Sequence, residues 1–131
     1  MAPTVDALII GGGPAGLTTA LTLARQVHTS IVFDDNNYRN KRAGHMHMVL
    51  TVDSESPAAF REKARQNIMS QYDTVTFEDT TITSLKKIDG GFEAQNASGQ
   101  TWQGKKVVLA TGVADIYPDI DGYDECWARG M

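Results

Sequence analysis

Apolar positions in this chain fall into short, almost uninterrupted runs and, between them, into helically spaced or alternating sets. Val5, Ala7, Leu8, Ile9 and Ile10 make a run too short for a helix of its own. Such a run reads as a strand buried on both faces of a parallel sheet. Three glycines follow, and then Pro14 stands where a helix takes its first residue and needs no N–H. Leu17, Ala20, Leu21 and Ala24 recur at helical spacing, with Thr18, Thr19, Thr22 and Arg25 falling largely elsewhere. That pattern predicts an amphipathic crossover helix running to about Val27. Ile31, Val32 and Phe33 make the second strand, which ends at Asp34 and Asp35.

Residues 36–53 show no period and are polar and basic, which predicts a long loop of the kind that carries function or moves. Ser56 and Pro57 read as the N-cap and first residue of a second helix ending near Tyr72. Phe60, Ala64 and Ile68 form its apolar stripe, and Arg61, Glu62, Lys63 and Arg65 read as a solvated face. From Asp73 the pattern turns to strands: Val75 and Phe77 alternate, then Ile82 and Leu85 with β-branched threonines between. Asp89-Gly90-Gly91 is a turn, Phe92 to Gln95 a strand, and Ser98-Gly99 another turn before Thr101 and Trp102 open a further strand. Val107 to Ala110 is again wholly apolar, so a buried parallel strand returns. The expected fold class is α/β, a parallel sheet interrupted by a three-stranded antiparallel β-meander. Tyr117-Pro118 and Asp121-Gly122 break regular structure, and the terminal DECWARGM reads as a linker or frayed end.

At 131 residues and 41% apolar content the chain has the size and composition of one soluble domain. A net charge of −4 leaves no basic patch to neutralise nucleic-acid phosphates, so nucleic acid is not an expected partner. No apolar run approaches membrane-spanning length, and the N-terminus lacks the basic-then-apolar pattern of a signal peptide. A cytoplasmic protein without a membrane partner is the expectation. The single cysteine, Cys126, allows neither an internal disulfide nor a dithiol within the chain, and a free buried or linker thiol is its expected state.

The chemistry concentrates in GGGPAG. Gly11, Gly13 and Gly16 have G-x-G-x-x-G spacing, with Gly12, Pro14 and Ala15 between them. The first glycine makes the turn, the second lets a pyrophosphate approach the backbone, and the third lets the helix pack against the strand. Free N–H groups and the positive end of the helix dipole then face the diphosphate. A strand before, a helix after and an acid at the expected distance are the context that makes this short motif informative. Asp34, directly after the apolar run, is preferred over Asp35 as the acceptor for both adenosine-ribose hydroxyls. Arg39, Lys41 and Arg42 are a basic cluster near that site; Arg39 could face a diphosphate, and Lys41 and Arg42 read as solvated. His45 and His47 lack a third ligand, so no metal site is expected, and Met46 and Met48 read as core filler or cofactor wall.

The segments GGGPAG, VFDDNNYRN, HMHMVLTVD and VVLATGVADIYPDIDGYDECWARG, in this order, resemble the thioredoxin-reductase-like flavoproteins, pyridine nucleotide-disulfide oxidoreductases. The resemblance is strongest to the fungal branch that includes dithiol oxidases of epidithiodiketopiperazine biosynthesis, and it runs from Val5 to Gly130. It implies a Rossmann-like FAD/NAD(P)-binding domain with FAD as cofactor. In that family electrons pass between a nicotinamide, the flavin and a Cys-x-x-Cys pair. Carried over by position, Gly11, Gly12, Gly13, Pro14, Ala15 and Gly16 would hold the FAD pyrophosphate and Asp34 the ribose. Arg39 and Asn40 match the YRN segment beside the flavin, Thr51 and Asp53 the loop that skirts the isoalloxazine, and Ile82 a backbone position near the adenine. Ala110, Thr111 and Gly112 match the ATG segment that passes close to the cofactor.

The departures are equally specific. In the family the Cys-x-x-Cys follows shortly after the position of Trp127 to Gly130, and here the sequence stops at Met131. The nicotinamide domain would begin near Pro118, and the C-terminal return segment that completes the FAD site has no counterpart in this sequence. The expected organisation is therefore residues 1–117 as the first segment of a split FAD-binding domain and 118–131 as a linker, a C-terminally truncated form. No catalytic residue is expected, and the chain alone is not expected to be a complete enzyme. For full-length members the resemblance implies a small dithiol or disulfide as partner and admits a homodimer. Two other readings stay open: a non-catalytic nucleotide-binding or homologue-pairing module, and an ordinary NAD-binding Rossmann domain. The meander, the ATG segment and the YRN loop tell against the second of these.

Overall fold

The computed structural model describes residues 3–127. Its first unit is β1 (Val5–Ile10), α1 (Pro14–Arg25) and β2 (Ser30–Phe33), followed after the long loop by α2 (Pro57–Gln71) and β3 (Val75–Glu78). Then come β4 (Ile82–Ile88), β5 (Gly91–Asn96), β6 (Thr101–Leu109) and a short α3 (Tyr123–Cys126). All six strands belong to one sheet in the order β3-β2-β1-β6-β5-β4. β3, β2, β1 and β6 run parallel, and β6, β5 and β4 form the antiparallel meander.

The two apolar runs expected as buried parallel strands do lie side by side, with Leu8 opposite Val107 and Ile9 opposite Val108. Burial on both faces is also visible in how the strands divide their side chains. Ile9 and Val32 pack on the helix side with Leu17, Ala20, Ala24 and Ile68. Leu8, Ile31 and Phe33 pack on the opposite side with Ala94 and Trp102 from the meander. The meander thus supplies the second cover that a parallel sheet needs, where an open doubly wound fold would use helices. Phe33 and Trp102 meet edge to face at 5.0 Å between ring centroids.

One expectation is corrected here. Thr101–Trp102 and Val107–Ala110 are not separate strands but the two halves of the nine-residue β6, which ends at Leu109. Its first half pairs with β5 and its second with β1, and Gly104 is opposite both Phe92 and Val5. A side chain at Gly104 would run into Leu8, so glycine is what lets the strand cross the core there. Val75 and Phe77 likewise belong to the parallel sheet, in β3 beside β2.

The helix boundaries have local causes. Ser56 Oγ accepts the Ala59 N–H at 3.1 Å, so the N-cap of α2 is the one the sequence indicates. α1 stops at Arg25, two residues before expected, because Val27 adopts φ 63°. The His28 N–H then reaches the Leu23 carbonyl and the Val27 N–H the Ala24 carbonyl, closing the helix in a Schellman arrangement. Near the C-terminus the expected linker contains the single turn α3, with Cys126 exposed and not buried. The expectation for residues 128–131 lies outside the described residues.

Candidate functional site

β1 is the strand at which the sheet changes direction: β2 lies on one side and β6, reached only after the helices and meander, on the other. In open α/β sheets ligands bind at the carboxyl ends of strands at such a switch point. The principal cleft lies there, with a volume of about 660 Å³, within the range usual for small-molecule sites. The turn Gly11–Ala15 forms one wall, the ends of β2 and β6 the floor, and the Asn37–Asn40 stretch and Thr80–Ile82 the other sides.

At this turn three glycines are required by three different neighbours, and a fourth leaves space open. Gly11 has φ 121°, closed to other residues, and a Cβ there would meet the Ala110 carbonyl. A Cβ on Gly12 would strike the Asp34 carboxylate, and one on Gly16 the Gly11 carbonyl, so the latter lets α1 seat against the strand. Gly13 alone faces open space, with nothing within 4 Å of an added Cβ. It is also the N-cap of α1, and no side chain caps that end. The first N–H groups of a helix have no partner inside it, so this end of the cleft offers donors and a positive dipole to an anion.

Asp34 follows β2 and is buried to 5% exposure. Its Oδ1 accepts the Asn36 N–H at 2.9 Å and its Oδ2 the Tyr38 hydroxyl at 2.5 Å. Burial, and next the bond to Asp34, raise the Tyr38 phenol to about 12. Asp35 also lines the cleft, with its carboxylate turned to the Asn37 N–H.

Of the residues singled out from the sequence, Gly11, Gly12, Gly13, Pro14, Ala15, Asp34, Arg39, Asn40, Ile82, Ala110, Thr111 and Gly112 all line this one cleft. Gly16 lies buried beneath it. Thr51 and Asp53 do not line it; both are exposed on the long loop, where Asp53 accepts the Met48 N–H and sits 3.5 Å from His47. Arg39 spends its guanidinium on a two-pronged contact with Asp115, both bonds 3.0 Å, so a diphosphate would compete with that carboxylate. The pairing raises the Arg39 pKa and holds Asp115 below the usual carboxylate range.

Three further expectations are corrected. Arg42 is not a free solvated cation: it pairs with Asp124 at 2.7 Å and lies over the Tyr117 ring. Arg61 and Arg65 do not belong to a merely solvated face, since Arg61 stacks 3.6 Å over Tyr38 and Arg65 lies over Phe77 and pairs with Asp79. Met48 is almost fully exposed and fills no core. Sequence reasoning missed Asn37, Tyr38, Thr80, Thr81 and Val113 as lining residues, and read Ile10, Phe33 and Leu109 only as strand residues. Tyr38 had a signal, its place beside Arg39 and Asn40; the threonines come from a β3–β4 connection that carries no periodic pattern.

Comparison with known proteins bears on the same region. The profile of the family described as pyridine nucleotide-disulphide oxidoreductase matches residues 5–130. A thioredoxin reductase of Claviceps purpurea is 48% identical over 97% of this chain and 40% of its own length. Another, from Aspergillus oryzae, is 46% identical over 99% of this chain and 42% of its own. Among solved structures, an oxidoreductase from Agrobacterium tumefaciens superposes with a TM-score of 0.88 at 32% identity, covering 94% of this chain and 41% of that one. A putative thioredoxin reductase from Bacillus anthracis gives 0.85 at 30% identity, over 89% and 39%. This chain therefore spans about two fifths of the length of these relatives.

Proposed function

Since the chain belongs to the pyridine nucleotide-disulphide oxidoreductase family and has the fold of a thioredoxin-reductase-like oxidoreductase domain, we propose that it binds FAD in the switch-point cleft. The observation that carries this reading is Gly13: a helix N-terminus, uncapped by any side chain, opens onto unfilled space where a Cβ would stand. The donor set suits the group. Backbone N–H groups of Gly13 and Ala15 would take the pyrophosphate, Asp34 the ribose hydroxyls, and Ala110, Thr111 and Gly112 would border the ring system. Ile82 and Asn40 complete the walls, with Arg39 at the rim. Thr51 and Asp53 belong to a loop whose backbone carries positive φ at Met48, Thr51 and Ser54, and strain of this kind gathers at ligand-clamping segments.

FAD, when bound, supplies hydride and electron transfer; the chain's own share is to bind, orient and shield it. For the full-length protein the proposed activity is transfer of electrons between NADPH and a dithiol or disulfide, supported by the thioredoxin reductases among its relatives. Residues 1–117 would form the first FAD-binding segment and 118–131 the approach to a nicotinamide domain, which agrees with α3 burying no residue.

A second reading, association with another chain, has one observation in its favour: β5 pairs with β6 only as far as Gly104, leaving the outer edge of residues 105–109 unpaired among the described residues. The test of the first reading is an absorbance spectrum of the purified chain after incubation with FAD and removal of excess. Retained flavin bands that NAD does not displace are expected. A colourless chain, or one from which NAD removes the flavin as readily as unlabelled FAD does, would contradict it.

A further inference from the structure

Asp34 stands in a thin partition. It lines the main cleft on one side, and on the other a hollow of about 200 Å³ lies beneath α2, bordered by Tyr38, Arg61, Arg65 and Phe77. Apart from the Gly12 backbone against which it lies, a carboxylate bordering two hollows takes its orientation from its hydrogen bonds. One is local, from the Asn36 N–H, and Asn36 itself sits at φ 58°. The other comes from the Tyr38 hydroxyl, four residues on. Tyr38 is in turn held from outside its own loop: the Arg61 guanidinium of α2 lies 3.6 Å above its ring, and Arg61 Nη1 donates to Asn40 Oδ1 at 3.0 Å. Arg61, Tyr38 and Asp34 thus form a strut from α2 to the cleft wall, across a segment with no strand or helix of its own.

We propose that Tyr38 is a positioning residue for the nucleotide site: clamped by Arg61, its hydroxyl fixes Asp34 in the orientation that receives the ribose hydroxyls. The proposal rests on the nucleotide reading above. It explains two residues which that reading leaves without a role, Tyr38 and Arg61. The remaining lone pairs of Asp34 stay available to a ligand, because a carboxylate accepts at about four sites and the protein uses one on each oxygen.

The experiment uses ADP and FAD as probes of the whole chain and its variants. Tyr38→Phe keeps the ring under Arg61 and removes only the donor. It should weaken both ligands about tenfold, the size expected for a lost charge-assisted hydrogen bond. In an Asp34→Asn background the same change should cost less than about twofold, because the groups act as one unit. A merely structural role would give the same loss in both backgrounds. Alkaline absorbance titration supplies a readout without ligand: of the four tyrosines, one should ionise late, near 12, vanish in Tyr38→Phe and move down in Asp34→Asn. Unchanged ligand affinity in Tyr38→Phe, or no late-titrating phenol, overturns the proposal while leaving the nucleotide reading intact. A wild-type chain that binds neither ADP nor FAD overturns both.

Discussion

Val27 is a β-branched residue held at φ 63° and 81% exposed. Left-handed backbone costs a non-glycine residue about 1–2 kcal/mol, and here no side-chain burial offsets it. Its two Schellman hydrogen bonds need only the backbone. Val27→Gly is accordingly expected to stabilise the chain by about 1 kcal/mol, less the extra freedom of glycine in the unfolded state. Thermal unfolding checks this, and the expected shift is an increase of a few degrees. At the same scale the glycine motif was legible as a pattern, and three of its roles follow from spacing alone. Gly12 was not, because what excludes its side chain is Asp34, brought over from the end of β2. A contact between residues 22 positions apart leaves no local trace in a sequence.

Elements whose hydrophobic period matches their structure could be read directly: the β1 run, the stripe of α1, and the Ser56-Pro57 start of α2. Those defined by a partner could not. β6 looks like two strands because polar Gln103, Gly104, Lys105 and Lys106 separate its apolar ends, yet both halves have neighbours to pair with. The first part of the loop of residues 36–53 has no period because several of its side chains are placed by ion pairs and ring stacking with distant segments, Arg39 to Asp115 and Arg42 to Asp124 among them.

One junction between elements also predicts a pH dependence. Asp6 on β1 accepts from Lys105 of β6 at 2.7 Å and from the Thr29 N–H at 2.9 Å, before β2. Those bonds, Lys105 first and Thr29 next, hold its carboxyl well below the usual carboxylate range. A depressed folded pKa means stability that is present above the unfolded value, about 3.9, and lost as pH falls through the folded one. Lys105→Met should therefore flatten the acid limb of stability against pH below about 4, measured by urea unfolding. An acid limb unchanged by that substitution would remove Asp6 from the account.

At the scale of the whole molecule, a parallel sheet covered by helices on one side and a meander on the other leaves a cleft at its switch point, and twelve of the residues chosen from sequence line it. The topology is what gathers them, since they come from the ends of β1, β2 and β6, the loops beyond, and the start of β4. The central claim is that this cleft is a dinucleotide site organised by the turn at Gly13. Its most direct test is FAD affinity of Gly13→Val measured beside the wild type, with thermal unfolding of both. Because the new side chain enters open space and costs only the N-cap preference of glycine over valine, the account predicts a melting transition lowered by no more than a few degrees and no measurable FAD binding in the variant, against clear binding by the wild type. A variant that folds as well and binds FAD as tightly as the wild type would contradict it.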